Sequence, residues 1–161
     1  MQQTLYLVRH AHALPAASDD ERAVSPKGER QLARLSEGLR RFEPSFPHAI
    51  WSSPLLRARQ TATLLKQGLE LEAPIEIQAN LAPFDAPRPI ADQVNAIDRS
   101  LMIVGHEPNL SKLSSLFLGD TGNDRVVFKK ASILCLTRLT AGRQSTPWQI
   151  EWHVNHLLFN Y

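Results

Sequence analysis

The chain has 161 residues, of which 43% are hydrophobic and 21% charged, and its formal net charge is +2. That length suits a single domain over residues 1–161, with enough chain for a core but too little for a separate lid domain. The charge is too small to favour nucleic acid, and the chain lacks both a membrane-spanning apolar run and the charged-then-apolar order of a secretory signal, so neither nucleic acid nor membrane is expected as a partner and a cytoplasmic location is expected.

Residues 3 to 9 read as a β-strand, almost continuously apolar, as a parallel strand covered on both faces should be. Its end delivers Arg9 and His10 into a loop, residues 11 to 24, that is acidic in its middle (Asp19, Asp20, Glu21) and carries Arg22. A helix is predicted from Ser25 as N-cap and Pro26 as first helical residue, with Leu32, Leu35, Leu39 and Phe42 on its buried face and Pro44 and Pro47 ending it. His48–Ser52 reads as a second strand, and Pro54 is expected to open a helix to about Lys66 that turns Leu55, Ala58, Ala62 and Leu65 inward. Ile75–Ile77 is a brief third strand, and residues 79 to 90, with Pro83, Pro87 and Pro89, read as a loop. A short helix over about Ile90–Asp98 precedes the most apolar strand, Leu101–Val104, and Pro108–Leu118 reads as the next helix. Strands at about 132 to 139 and 148 to 154 complete the chain.

Helices alternating with apolar strands predict an α/β three-layer sandwich, a mainly parallel sheet flanked by helices. Such sheets bind ligands beyond the carboxyl ends of their strands. Arg9-His10, Ser53 to Arg57 and Gly105-His106 each begin at such an end. Arg9 and Arg57 offer two planar guanidinium forks for the oxygens of a phosphoryl group, and helices opening at Pro54 and Pro108 would add backbone N–H donors. A histidine among arginines is held neutral by like charge and keeps a lone pair. His10 can then attack phosphorus and pass the group to water as a phosphohistidine intermediate, while His106 donates a hydrogen bond to the phosphoryl oxygens.

Several other residues read more plainly. Cys135 lies in an apolar run, and as the single cysteine it cannot form an intrachain disulfide. His12 reads as a loop residue at the pocket mouth, Arg59 as a solvated helix residue, Lys129-Lys130 as a solvated turn, and Glu107 as a helix cap. His153 and His156 lack the accompanying ligands of a recognisable metal site.

The strings Val8-Arg9-His10-Ala11, Ser52-Ser53-Pro54-Leu55-Leu56-Arg57-Ala58-Arg59-Gln60-Thr61-Ala62 and Val104-Gly105-His106-Glu107-Pro108, in this order and spacing, closely resemble the histidine phosphatase superfamily, which includes phosphoglycerate mutases and acid phosphatases. The short length and the run Ala16-Ala17-Ser18-Asp19-Asp20-Glu21-Arg22 before Ser25-Pro26-Lys27-Gly28 are most similar to SixA-type phosphohistidine phosphatases. The resemblance implies a phosphoglycerate mutase-like fold and a phosphatase that needs neither metal nor other cofactor. Arg9, His10, Arg57 and His106 would form its phosphate pocket, and Arg22 would help hold the phosphate. The implied partner is a protein phosphorylated on histidine in signalling or phosphotransfer, and the product is inorganic phosphate.

One departure bears on substrate. Larger members carry a carboxylate general acid after the third strand, where this chain offers only Asp85 as a candidate, outside a clear motif. A sugar alkoxide needs protonation to leave, worth roughly 10²–10⁴-fold. A phosphorylated imidazole protonated on its other nitrogen leaves as neutral imidazole. Phosphohistidine is therefore the expected substrate; the alternatives are a phosphatase of small phosphate esters or nucleotides, with Asp85 or Glu107 as acid, and a phosphate-binding module without turnover.

Overall fold

The computed structural model describes residues 1–42, 47–120 and 124–159. Its strands are β1 (Gln2–Arg9), β2 (Ala49–Ser52), β3 (Ile75–Ile77), β4 (Leu101–Gly105), β5 (Ser132–Ala141), β6 (Gln144–Ser145) and β7 (Gln149–Asn155). Its helices are α1 (Pro26–Phe42), α2 (Leu56–Gly68), α3 (Arg88–Asn95) and α4 (Asn109–Phe117), with short 3-10 turns at Asp19–Glu21 and His156–Phe159. The burial of Phe42 and the stop at Pro44 lie outside the described residues.

The sheet runs in the order β3-β2-β4-β1-β5-β6, with β7 also paired to β5. β3, β2, β4 and β1 are mutually parallel, whereas β5 runs antiparallel to β1, and β6 and β7 run antiparallel to β5. The first strand of the chain therefore lies inside the sheet, which is why its central residues, Leu5 to Val8, are apolar and buried. Successive residues of a strand face opposite sides, so Tyr6 and Val8 enter one core with Leu32, Leu35 and Leu39 of α1 and Ala58, Ala62 and Leu65 of α2. Leu5 and Leu7 enter the other, with Ile90 and Val94 of α3 and Leu110, Leu113 and Phe117 of α4. Each fully buried leucine contributes about 1.5–3 kcal/mol. The predicted three-layer architecture is the one observed.

Local chemistry sets the helix boundaries. Ser25 caps α1 as expected, its hydroxyl accepting the Gly28 N–H at 3.0 Å. α2 begins at Leu56 rather than Pro54, because Leu55 is still extended (φ −67°, ψ 139°) and its N–H donates to the Ser53 hydroxyl at 3.3 Å. α4 begins at Asn109, one residue after Pro108. α3 starts two residues before the expected Ile90, since a proline in a first helical turn sacrifices no hydrogen bond and Pro89 sits there. Among the described residues, no helix is long and apolar enough to cross a membrane.

Candidate active site

Arg9 is the last residue of β1 and His10 the next; Ser53 follows β2, and His106 follows β4. The His10 N–H donates to the Gly105 carbonyl and the Ser53 N–H to the Val104 carbonyl, each at 3.0 Å, which aligns the three strand ends. Arg57 comes from the first turn of α2. Thr61, one turn on, fastens that helix to the loop after His10: its hydroxyl accepts the Ala11 N–H at 3.1 Å and donates to the Arg57 carbonyl at 2.7 Å. An anion at Arg57 also meets the positive end of the α2 dipole.

His10, Arg57 and His106 are 5%, 3% and 1% exposed. His10 Nδ1 lies 2.7 Å from the Ala11 carbonyl oxygen, which can only accept, so the ring proton sits on Nδ1 and the lone pair on Nε2. Arg57 Nε donates to that lone pair at 3.3 Å. Burial pushes the His10 imidazole down to about 4; the Ala11 bond opposes this, and the charges of Arg57, Arg9 and Lys130 reinforce it. His10 is thus neutral at pH 7, with its lone-pair nitrogen fixed and turned toward an arginine.

The ring of His106 lies 5.0 Å from that of His10, centroid to centroid. Its Nε2 is 2.8 Å from the Ser53 hydroxyl, and its Nδ1 is buried without a hydrogen-bond partner among the described residues. When Ser53 donates to Nε2, the ring proton sits on Nδ1, a donor with no protein acceptor. Burial, joined by His10 and Arg57, pushes this imidazole down to about 3, against the pull of Asp19. Arg9 Nη1 donates to the Phe128 carbonyl at 2.7 Å, while its Nε is buried without a partner among the described residues. Buried unpaired donors beside a neutral imidazole that keeps its lone pair suit a phosphoryl oxyanion, which can satisfy them.

Arg22 and Asp85 stand apart from these four. Arg22 Nε donates to the Leu14 carbonyl at 3.0 Å, and its Nη1 meets Asp19 Oδ1 at 3.3 Å. Asp85 Oδ2 accepts the Ala82 N–H at 2.9 Å within its own loop, and the Asp85 carbonyl accepts from Asn109 Nδ2 at 2.9 Å. Glu107 is the cap it was read to be: its carboxylate accepts the Ser111 N–H at 2.9 Å, the Ser111 hydroxyl, and the Phe128 N–H at 3.4 Å. His12 lines, with Ala13, Pro15, Ala16, Asp19 and Arg22, a groove of about 440 Å³.

The sequence reading missed Asp19. Arg57 donates through Nη1 to the Asp19 carbonyl at 2.7 Å and through Nη2 to its carboxylate at 3.0 Å. The Arg57 hydrogen bond holds the Asp19 carboxyl below the usual carboxylate range. The acidic run was visible in the sequence, but nothing local tells which of Asp19, Asp20 and Glu21 faces the pocket. Ser53 and Thr61, the residues that orient His106 and α2, carried only their place in the motif.

Two arginines and two neutral histidines at the carboxyl ends of parallel strands define a phosphoryl-handling α/β protein. Residues 5–87 match the family model described as histidine phosphatase superfamily, branch 1, and the chain belongs to that superfamily. An uncharacterised protein of Picosynechococcus sp. strain PCC 7002 is 31% identical over 163 residues, covering 96% of this chain and 93% of its own. An uncharacterised protein of Mycobacterium tuberculosis is 32% identical over 130 residues, 78% of each chain. Among solved structures, the protein histidine phosphatase SixA complexed with tungstate superposes with a TM-score of 0.83 at 21% identity, covering 98% of this chain and 100% of the other. A mycobacterial glucosyl-3-phosphoglycerate phosphatase gives 0.69 at 17% identity, with 94% and 98% covered. The fold is the SixA-like, phosphoglycerate mutase-like one.

Proposed function

We propose that this protein is a phosphohistidine phosphatase that removes phosphate from histidine on a signalling or phosphotransfer protein. The observation that carries the reading is the fixed tautomer of His10, with Nδ1 donating to Ala11 and Nε2 facing Arg57. In this reading Nε2 attacks phosphorus in line, the P–N bond to the substrate imidazole breaks, and that ring leaves as a neutral imidazole. Arg9, Arg57 and His106 Nδ1 bear the charge on the phosphoryl oxygens, a role the two guanidinium groups can fill with neither metal nor other cofactor. Water then attacks the phosphorylated His10, releasing inorganic phosphate and restoring the ring with its proton on Nδ1.

Three features support the choice of a nitrogen-linked phosphate. Asp19 contacts the site as an ionised carboxylate and cannot protonate an alkoxide at neutral pH. Asp85 and Glu107, the acids that ester hydrolysis would call on, are committed to hydrogen bonds elsewhere, Asp85 within its own loop and Glu107 with Ser111 and Phe128. Leu14, Phe84 and Val127 are exposed on loops at the same end of the sheet, Phe84 by 89%, and apolar side chains exposed at that end suit contact with a protein surface. Arg22 serves in this reading through Asp19, and a cytoplasmic location follows from the phosphotransfer partner. The fold shared with a sugar-phosphate phosphatase favours small phosphate esters as the second reading.

The test compares a phosphohistidine-bearing protein, a phosphoramidate and an alkyl phosphate, for wild type and His10→Ala, with chelator present. Turnover of the nitrogen-linked substrates alone, with an acid-labile phosphoenzyme absent from the variant, is expected. Equal turnover of the alkyl phosphate moves the assignment to an ester phosphatase, and no turnover of any substrate to a phosphate-binding module.

A further inference from the structure

The segment between β1 and α1 is a tongue closed at its base and open at its tip. Ala13 and Val24 form an antiparallel bridge, and the Leu14 N–H donates to the Ala23 carbonyl at 2.8 Å. Beyond that clasp, residues 14–21 are all exposed. The tip reaches back to the catalytic residues through Asp19, whose carboxylate receives Arg57 Nη2 on one oxygen and Arg22 Nη1 on the other. Two guanidinium groups therefore hold this carboxylate as they would hold a phosphoryl group.

The direction of the Arg57 fork matters. Its Nε faces His10 Nε2, whereas Nη1 and Nη2 both face Asp19. His10 and Asp19 are thus held by different nitrogens of one guanidinium, with Asp19 at its terminal fork. In an in-line transfer the leaving group lies opposite the nucleophile, and Asp19 stands at the fork, away from the nitrogen that holds His10. A phosphoryl group that takes the Arg57 fork displaces the carboxylate toward that leaving group.

We propose that Asp19 is a specificity-determining residue: displaced from Arg57 by the incoming phosphoryl group, its carboxylate accepts a hydrogen bond from the protonated ring nitrogen of a phosphorylated imidazole and so favours nitrogen-linked over oxygen-linked substrates. This deepens the phosphohistidine phosphatase reading and rests on it. The substrate ring carries phosphorus on one nitrogen and a proton on the other. As His10 Nε2 bonds to phosphorus, the substrate P–N bond breaks, its electron pair returns to the leaving ring, and the proton stays on the far nitrogen. No proton changes hands, so a carboxylate that holds the protonated form suffices where an ester would need an acid. An aryl phosphate has no N–H to offer and must still displace Asp19 from Arg57, so for it the residue is only a competitor.

The test measures kcat/KM for N-phosphoimidazole and for p-nitrophenyl phosphate, whose leaving group departs unprotonated, in wild type, Asp19→Asn and Asp19→Glu. Inhibition by inorganic phosphate is measured alongside. Loss of one charge-assisted hydrogen bond predicts that Asp19→Asn lowers the ratio of the two values by about ten- to a hundredfold. Phosphate inhibition tightens at the same time, because the fork is freed, and Asp19→Glu recovers part of the ratio. An unchanged ratio in Asp19→Asn overturns the proposal, whether both rates fall together or stay the same. Wild-type turnover of the aryl phosphate through His10 without any turnover of N-phosphoimidazole overturns the phosphohistidine reading itself, and the proposal with it.

Discussion

Acidification should unfold this protein chiefly through the two histidines of its site. In the unfolded chain both imidazoles take their ordinary value near 6.5, whereas in the folded protein burial holds His10 at about 4 and His106 at about 3. Between those values the unfolded state binds more protons, so stability is complete above pH 6.5 and declines as pH falls toward 4. At pH 4.5 each ring has lost roughly 2–3 kcal/mol, about 5 kcal/mol for the pair, against the 5–15 kcal/mol typical of a whole domain. Asp19, whose carboxyl is depressed by Arg57, adds to the loss in the same direction as it becomes protonated. Urea denaturation at pH 7 and pH 4.5 in phosphate-free buffer measures the change as a shift of midpoint at constant m. The double variant His10→Gln/His106→Gln should lose far less stability over the same interval. An equal loss in variant and wild type, or a ring that titrates near 6.5 by NMR in the folded protein, refutes the reasoning.

Two further predictions concern single positions. Arg57→Lys keeps the charge but cannot span His10 and a phosphoryl group with one ammonium, so kcat/KM for p-nitrophenyl phosphate should fall about 10²–10³-fold; a value within about threefold of wild type would show that the fork geometry is immaterial. Gly28→Ala, in the first turn of α1, would ordinarily stabilise by up to about 1 kcal/mol through helix propensity. Here the added Cβ would collide with the His12 carbonyl oxygen and lie 2.8 Å from Val24 Cγ1, so a lower urea midpoint is expected, and a higher one would contradict the packing.

The sequence made the cluster of Arg9, His10, Arg57 and His106 legible because each sits at or just past the end of a strand or in the first turn of the helix that follows one. Alternation of strands and helices was enough to place Arg9, His10, Arg57 and His106 at one edge. Contacts between distant loops left no such trace. Asp19 meets Arg57 across 38 residues, and its two acidic neighbours look equally suitable in the sequence. The directions of β5 and β7 were hidden too, since an apolar run reads alike in either sense. Arg22 and Asp85 carry the right chemical groups, but backbone hydrogen bonds in the tongue and in the loop after β3 hold them outside the contacts made by the other four.

The inner position of β1 has a consequence for how the protein comes to exist. Its two neighbours are β4, beginning at Leu101, and β5, beginning at Ser132. A ribosome makes β1 before either, so a strand with an apolar centre and both edges unpaired must wait until β4 and β5 emerge. Late, long-range pairing of this kind slows folding and leaves the strand open to association with other chains. His10 follows the strand that is made before its two neighbours, yet the pocket around its imidazole closes only when β4 and β5 have both been made.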